Sequence, residues 1–410
     1  MRQLLFFIIL IASCSGCESW EPYEPQEPYS CNIETTSDRG QYWSTNTSFL
    51  SYDATVDDSL LLVQSDYFQL VNKNTGNLVH QFGSDFVYMY GEQYWYNNYM
   101  LAVDNSHFGG VDLHNRKVDF KIFDYTEPYY DQITGIGEDF FVLIKTSYHG
   151  DSLGKAPTLF HGSIQNPQQL EEVATPNFSD QISGNGKSYG LVQDMKAFIS
   201  PEGTRQILMA CMDFVAPKGS KVFLALYDYD KKEWIYDKKY LPNDPFKSYN
   251  SLRDIFFTGP NEAMFVNYNQ LIRWDIKNGE IMPDSPVFNN VDHIAFFGGD
   301  QNRAVVVQIN GPLTIIDNHT HQVISTIPKN TETVRVDIND KRLYLFSETS
   351  VRVFSLEDGT LIDVLLPDCI SGYSNIFRYA AFPPYSWKAA DGKRFVLMNT
   401  NTAVLKYETK

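Results

Sequence analysis

The chain has 410 residues, 43% of them hydrophobic and 15% aromatic, with 20% charged and a formal net charge of -17. That composition supports a packed interior and excludes a disordered chain. The acidity excludes nucleic acid and anionic lipid headgroups as main partners, because both are held by basic patches.

At the N-terminus, Arg2 precedes an apolar run from Leu4 to Ala12 and a group of small residues. Nine apolar residues are too few to cross a bilayer, so residues 1–13 read as a signal peptide. Ile11-Ala12-Ser13-Cys14 resembles a bacterial lipoprotein lipobox. The resemblance implies that Cys14 is lipidated, with Cys17 the alternative, and that acyl chains hold the domain to a membrane. Glu21 to Tyr29 is three Glu-Pro-X triplets, an extended polyproline II spacer. Residues 14–39 are thus a lipidated N-terminus and linker, and 40–410 the folded domain. Acidic residues so near the cysteine resemble the surface-export signals of Bacteroidetes lipoproteins. The expected location is the outer membrane, facing the periplasm or the cell surface.

A plausible strand lies within Tyr42 to Ser51, and repeats follow. The first copy has Phe49 to Thr55, Leu60 to Gln64, Tyr67 to Val71 and Leu78 to Phe82, with a polar turn closing on Gly76. The second has Val87 to Trp95, Met100 to Val103, Gly110 to Leu113 and Val118 to Phe123, with Arg116 in the glycine place. The third has Phe140 to Lys145, Thr158 to Ile164 and Leu170 to Ala174; the fourth has Ile207 to Met212, Val222 to Tyr229 and Trp234 to Tyr240. Polar stretches, Thr146 to Pro157 and Asp213 to Ser220, interrupt these two copies. The fifth, Ala263 to Gly279, restores the original spacing; the sixth, from Ala304 to Ile327, has His321 where glycine stood. Asn, Asp and His enter left-handed backbone more readily than bulkier residues, which permits that exchange. The seventh copy is Arg342 to Leu366, and the eighth has Phe377 to Phe382, Phe395 to Met398 and Ala403 to Tyr407.

A unit of three or four short strands cannot bury its own apolar face, so its copies must stack. A period of about 40 residues with four strands is the propeller period, and no stretch of the mature chain keeps a helical 3.6-residue period. The expected fold is an all-β β-propeller of four-stranded blades, eight preferred and seven next. The last copy lacks a final strand, which the N-terminal strand supplies to close the ring.

The turn Asn72 to Gly76, with Asp275 to Gly279 and Ser355 to Gly359, resembles the Thr-Gly turn of quinoprotein-like (PQQ-repeat) propellers. In quinoprotein dehydrogenases a docking tryptophan follows; here the matching places hold His80 or apolar residues, so no cofactor is expected. In architecture and anchoring the chain resembles the propeller lipoprotein of the outer-membrane β-barrel assembly machinery.

Few residues point to chemistry. His319 and His321 flank Thr320 on a turn without a third ligand, so no metal is expected. A run of aromatics, among them Tyr94, Trp95, Tyr129 and Tyr130, either fills the space between blades or forms a binding surface. Tyr129 and Tyr130, beside Pro128 in a loop, are the strongest candidates for binding. If the N-terminal segment completes the eighth blade, a Cys31–Cys369 disulfide is a candidate staple; Cys211, in an apolar strand, reads as a buried thiol. With no catalytic motif, the expected function is a non-enzymatic protein-binding or scaffolding module. Its contact surface is the inserts Thr146 to Pro157, Asn177 to Lys187, Asp213 to Ser220 and Ser371 to Gly392, and its partner another envelope protein. The alternative is a small-molecule or glycan site at the central channel.

Overall fold

The computed structural model describes Ser44–Thr45 and most of residues 59–410. Residues 1–43, 46–58 and the connections 83–92, 124–128, 146–156, 179–188, 216–218, 242–251, 283–287, 297–302, 329–334, 347–349, 366–384 and 400–403, with a few shorter stretches, lie outside the described residues. Eight antiparallel sheets and no helix occur among the described residues. Sheet 1 holds Leu60–Gln64, Phe68–Asn72 and Leu78–Gln81; sheet 2 holds Gln93–Tyr96, Tyr99–Asp104, His107–Asp112 and Lys117–Phe123. Sheet 3 is Tyr129–Ile136, Asp139–Lys145, Thr158–Ser163 and Glu171–Ala174; sheet 4 is Tyr189–Ile199, Arg205–Val215, Gly219–Asp228 and Glu233–Tyr240. Sheet 5 is Leu252–Gly259, Glu262–Asn267, Gln270–Asp275 and Glu280–Ile281; sheet 6 is Val291–Phe296, Arg303–Gln308, Leu313–Asp317 and Val323–Ile327. Sheet 7 is Arg335–Asn339, Arg342–Phe346, Val351–Ser355 and Leu361–Leu365. Sheet 8 holds Tyr385–Lys388, Arg394–Asn399 and Val404–Thr409, and its fourth strand comes from the other end of the chain: Ser44 faces Leu405 and Thr45 faces Val404.

The core follows from the alternation of side chains along each strand. Each middle strand is apolar on both faces, as in Ala304, Val305, Val306 and Val307, all fully buried. One face packs on the sheet before and the other on the sheet after, so the apolar clusters lie between sheets. Leu62 and Phe68 of sheet 1 meet Met100 and Val111 of sheet 2, and Phe108 of sheet 2 meets Phe140 of sheet 3. Further clusters join sheets 3 to 4, 4 to 5, 5 to 6, 6 to 7 and 7 to 8. Sheet 8 then touches sheet 1, where Lys406 Nζ donates to the Lys73 carbonyl at 2.8 Å.

First strands of successive sheets lie against one another from sheet 2 through sheet 8, which makes them the inner wall of a propeller. Four of them bulge at a polar residue. Asp131, Gln193 and Asp292 have no opposite number on the neighbouring strand, and the sheet 5 irregularity falls between Arg253 and Phe256. A bulge re-aims side chains out of the ladder, and at or beside the bulges of sheets 3 and 4 side chains reach the next sheet's backbone. Gln132 Nε2 donates to the Gln193 carbonyl at 2.7 Å, Gln193 Oε1 accepts from the Leu252 amide at 2.8 Å, and Asp194 Oδ2 accepts from the Ile255 amide at 2.9 Å.

Each repeat copy read from the sequence maps onto one sheet, with differences. Tyr129 and Tyr130 open a strand rather than sit in a loop. Asp213–Val215 and Gly219–Ser220 continue the strands of sheet 4 instead of forming an insert, because the Asp213 carboxylate finds partners there. Sheet 8 begins at Tyr385–Lys388, inside the stretch read as the insert Ser371 to Gly392, while Phe377 to Phe382 lies outside the described residues. So do Phe49 to Thr55, Cys14, Cys17, Cys31 and Cys369. Cys211 is a fully buried free thiol, and burial pushes it well above the usual thiol range.

Candidate functional site: the loop-bearing face

In an antiparallel meander the turns alternate between two faces. Turns from first to second strand and from third to fourth lie on one face; the connections from second to third strand and on to the next sheet lie on the other.

The first face is built from tight turns. Between third and fourth strands a polar side chain caps the turn and the fifth residue is left-handed. Asn72 Oδ1 accepts the Thr75 amide at 3.0 Å, Asp112 Oδ1 the Asn115 amide at 2.9 Å, Asp275 Oδ1 the Asn278 amide at 3.0 Å, and Asp317 Oδ1 the Thr320 amide at 2.8 Å. These bonds mimic a backbone turn. The amides of Thr320 and His319 hold the Asp317 carboxyl down to about 2. Positive φ values follow at Gly76 (72°), Arg116 (54°), Lys232 (56°), Gly279 (68°), His321 (58°) and Gly359 (75°). The two non-glycine substitutes read from the sequence, Arg116 and His321, therefore share the glycines' backbone state.

The same face is tied across its seams. Asp139, the first residue after the inner turn of sheet 3, accepts Arg205 Nη1 of sheet 4 at 2.6 Å; Arg205 also pairs with Asp230. The Asp230 bond raises the Arg205 guanidinium's affinity for its proton. His161 Nε2 lies 2.7 Å from Asp139 and Nδ1 lies 3.0 Å from the Tyr229 hydroxyl. A carboxylate only accepts, so Nε2 carries the proton and Nδ1 accepts from Tyr229. Sheet 4 reaches sheet 5 through Glu202 and Lys277 at 3.9 Å, sheet 5 reaches sheet 6 through Glu262 and His321 at 3.7 Å, and sheet 7 reaches sheet 8 through Asp340 and Arg394. Burial and the nearby Arg273 disfavour a charged His321. This face is committed to joining sheets.

The opposite face carries the long connections. Three of the inserts read as a contact surface leave from it: 146–157 joins second and third strands of sheet 3, 177–187 leads into sheet 4, and 371–384 leads into sheet 8. The fourth, 213–220, is the end of a hairpin. The second strand of sheet 4 has 11 residues against 6 in sheets 5, 6 and 8, and all start at the tight-turn face. Five extra residues carry the hairpin about 16 Å further, at ~3.3 Å per residue. Its flank is stiffened by charge and rings. Asp213 Oδ2 accepts from Lys238 Nζ and from the Tyr240 hydroxyl, both at 2.9 Å, and Lys221 Nζ stands 4.6 Å from the Tyr240 ring centroid. Tyr240 is 38% exposed, so its ring is presented to solvent by partners that fix it.

The candidate aromatics divide. Tyr94 is wedged between sheets 2 and 3; its hydroxyl donates to the Gly137 carbonyl at 2.7 Å, and burial raises it to about 12. A Cβ on Gly135 would fall 2.4 Å from the Tyr94 ring, so glycine is required there. Trp95 packs on the cluster between sheets 1 and 2. Both therefore serve the packing between sheets. Tyr129 and Tyr130 start the first strand of sheet 3, at its loop-bearing end. Lys221, Lys238 and Tyr240 were not singled out from the sequence, because a lysine or tyrosine near a strand end carries no spacing signal. No group of three metal-ligating side chains occurs among the described residues.

No protein-family profile matches the sequence, and no curated protein is similar to it. Solved structures are similar in fold. The Dos1 propeller matches with a TM-score of 0.55 at 8% identity over 92% of this chain and 97% of that one. The dihydro-heme d1 dehydrogenase NirN, solved in complex with DHE, matches with a TM-score of 0.57 at 11% identity over 94% and 80%. BamB from Moraxella catarrhalis matches with a TM-score of 0.52 at 8% identity over 90% and 100%. At such identities the likeness shows the fold alone: the chain is a β-propeller.

Proposed function

We propose that this propeller is a non-enzymatic binding module whose loop-bearing face, led by the sheet 4 hairpin, docks a protein partner in the bacterial cell envelope. The observation that carries the reading is the difference between the two ends of the strands: capped turns and ion pairs from sheet to sheet gather at one, while the long sheet 4 hairpin extends at the other. Loops on a rigid frame are where such folds place recognition. Lipid on Cys14, or on Cys17, tethers the module to the outer membrane through the Glu-Pro spacer.

The test places a photo-crosslinking amino acid at Tyr240, and separately at Ile199, which is 50% exposed on the tight-turn face. In cells, a discrete adduct is expected from position 240 alone. Equal adducts from both positions, or none, would sink the reading. A second reading, a small polar or glycan ligand at the axis, draws on Gln93 in the first strand of sheet 2. Both of its side-chain amide atoms are buried without a hydrogen-bond partner, and a ligand supplying a hydroxyl would satisfy them. Binding on a glycan array that Gln93→Leu abolishes is the expected sign; an empty array removes that reading.

A further inference from the structure

The seam between sheets 7 and 8 contains donors that the protein itself does not satisfy. Arg342 opens the second strand of sheet 7, and Tyr344, two residues on, packs with Val396 and Tyr407 of sheet 8. That face of sheet 7 therefore looks at sheet 8. On sheet 8, Arg394 stands directly opposite Thr409, and Val396 opposite Tyr407. By the two-residue alternation of strands, Arg394 and Thr409 share the face of Val396 and Tyr407. Arg342, Arg394 and Thr409 thus meet in one layer, just above the apolar cluster and toward the tight-turn face.

Two donors in this layer, Arg342 Nη1 and Arg394 Nε, are buried without an acceptor, and the Thr409 hydroxyl beside them has the Tyr344 hydroxyl as its neighbour. Thr409 is 5% exposed. The nearby carboxylates are engaged elsewhere. Asp340 pairs with Arg394 and with Lys388 Nζ at 3.1 Å, and Asp363 accepts the Lys410 amide at 2.8 Å and the Val364 amide at 2.9 Å. Arg205, Arg273, Arg303 and Arg394 each have a carboxylate partner, whereas Arg342 has none within ion-pair distance among the described residues. Burial and the Arg394 charge lower its hold on its proton. Two guanidinium groups sharing a half-buried seam repel, and a buried donor without an acceptor loses the hydrogen bond it had in water; an anion between them offsets both losses. Water accepts hydrogen bonds but brings no charge, and the planar guanidinium fork matches oxyanion geometry.

We propose that this seam binds a small oxyanion, held by Arg342 and Arg394 with Thr409 as the hydroxyl donor. Isothermal titration calorimetry on the full chain tests it with sodium phosphate, sodium sulfate and sodium acetate, against sodium chloride at matched ionic strength. Saturable one-to-one binding of at least one oxyanion is expected. Preference for phosphate and sulfate identifies a tetrahedral ligand, and preference for acetate a carboxylate. Arg342→Gln and Thr409→Val should each weaken binding at least tenfold. Arg352→Gln, whose side chain lies on the opposite face of sheet 7 by register with Leu345, should bind as the parent does. Absence of saturable binding by all three oxyanions overturns the proposal. So does unchanged affinity in Thr409→Val, a variant that keeps the seam's charges and its fold should Arg342→Gln not fold.

Discussion

The left-handed turn residue is where sequence and backbone meet most directly, yet its occupants differ in what a substitution would do. Arg116 is exposed at φ 54°, while Gly359 sits at φ 75° with Ser325 of sheet 6 so close that a Cβ would fall 2.2 Å from its Oγ. Gly359→Ala therefore carries two costs, about 1–2 kcal/mol for the left-handed backbone and displacement of a neighbouring sheet's side chain. Arg116→Gly removes the first cost and meets no second. Urea titration should show Gly359→Ala destabilised by ~2 kcal/mol or more and Arg116→Gly unchanged or slightly more stable. Equal midpoints for the two would show that the turn is not under the strain assigned to it. The polar cap, the five-residue spacing and the tolerance for His321 and Arg116 were all legible in the sequence. The close approach of Ser325 was not, because it joins residues of different sheets.

Strands were legible in proportion to how apolar they are. Middle strands such as Ala263 to Asn267 and Leu343 to Phe346, buried on both faces, show as continuous apolar runs. The first strands of sheets 3 to 8 are absent from the repeat copies read from the sequence, and in sheets 4 and 6 polar residues break the apolar run: Gln193 and Asp194 interrupt Tyr189–Ile199, and Asp292 and His293 interrupt Val291–Phe296. In the fold Gln193 and Asp194 bridge to sheet 5, while Asp292 lies 3.1 Å from the imidazole of its neighbour His293. Asp194 also accepts the Met195 amide at 2.8 Å and lies 3.2 Å from Lys196 Nζ, so the carboxylate is held ready for Ile255. Asp194→Ala would leave the buried Ile255 amide without its acceptor, at a cost of about 1–3 kcal/mol. Hydrogen exchange at Ile255 should accelerate strongly, while Phe265 in the middle strand of the same sheet keeps its protection. Unaltered exchange at Ile255 would mean that the bulge does not tie sheets 4 and 5 together. The projecting hairpin of sheet 4 was legible as an interruption but not as a strand, since Asp213 looks like a loop residue until Lys238 and Tyr240 are found around it.

At the scale of the whole molecule, seven apolar clusters join sheets 1 to 8 in succession, and where sheet 8 meets sheet 1 the described residues include a buried amine. Lys406 is 2% exposed there; its Nζ lies 4.0 Å from the Phe395 ring centroid and 5.2 Å from that of Trp387, and it donates to the Lys73 carbonyl. Burial lowers this amine to about 8, with Lys73 and Lys393 acting in the same sense and Asp391 and Glu408 opposing. A lysine whose folded value lies below its unfolded value of about 10.5 binds its proton more tightly in the unfolded chain. Its contribution to stability therefore rises with pH between about 8 and 10.5, by on the order of 2 kcal/mol at ~1.4 kcal/mol per unit after discounting for relaxation. Tyrosines such as Tyr236, raised by burial, work in the opposite direction as they titrate, so the comparison must be made against Lys406→Met at each pH. The stability difference between parent and variant should move in the parent's favour from pH 7.5 to 10. A flat difference would show that the amine at this seam is solvated. The fold thus places a buried amine where its last sheet meets its first, which makes the strength of that seam follow pH.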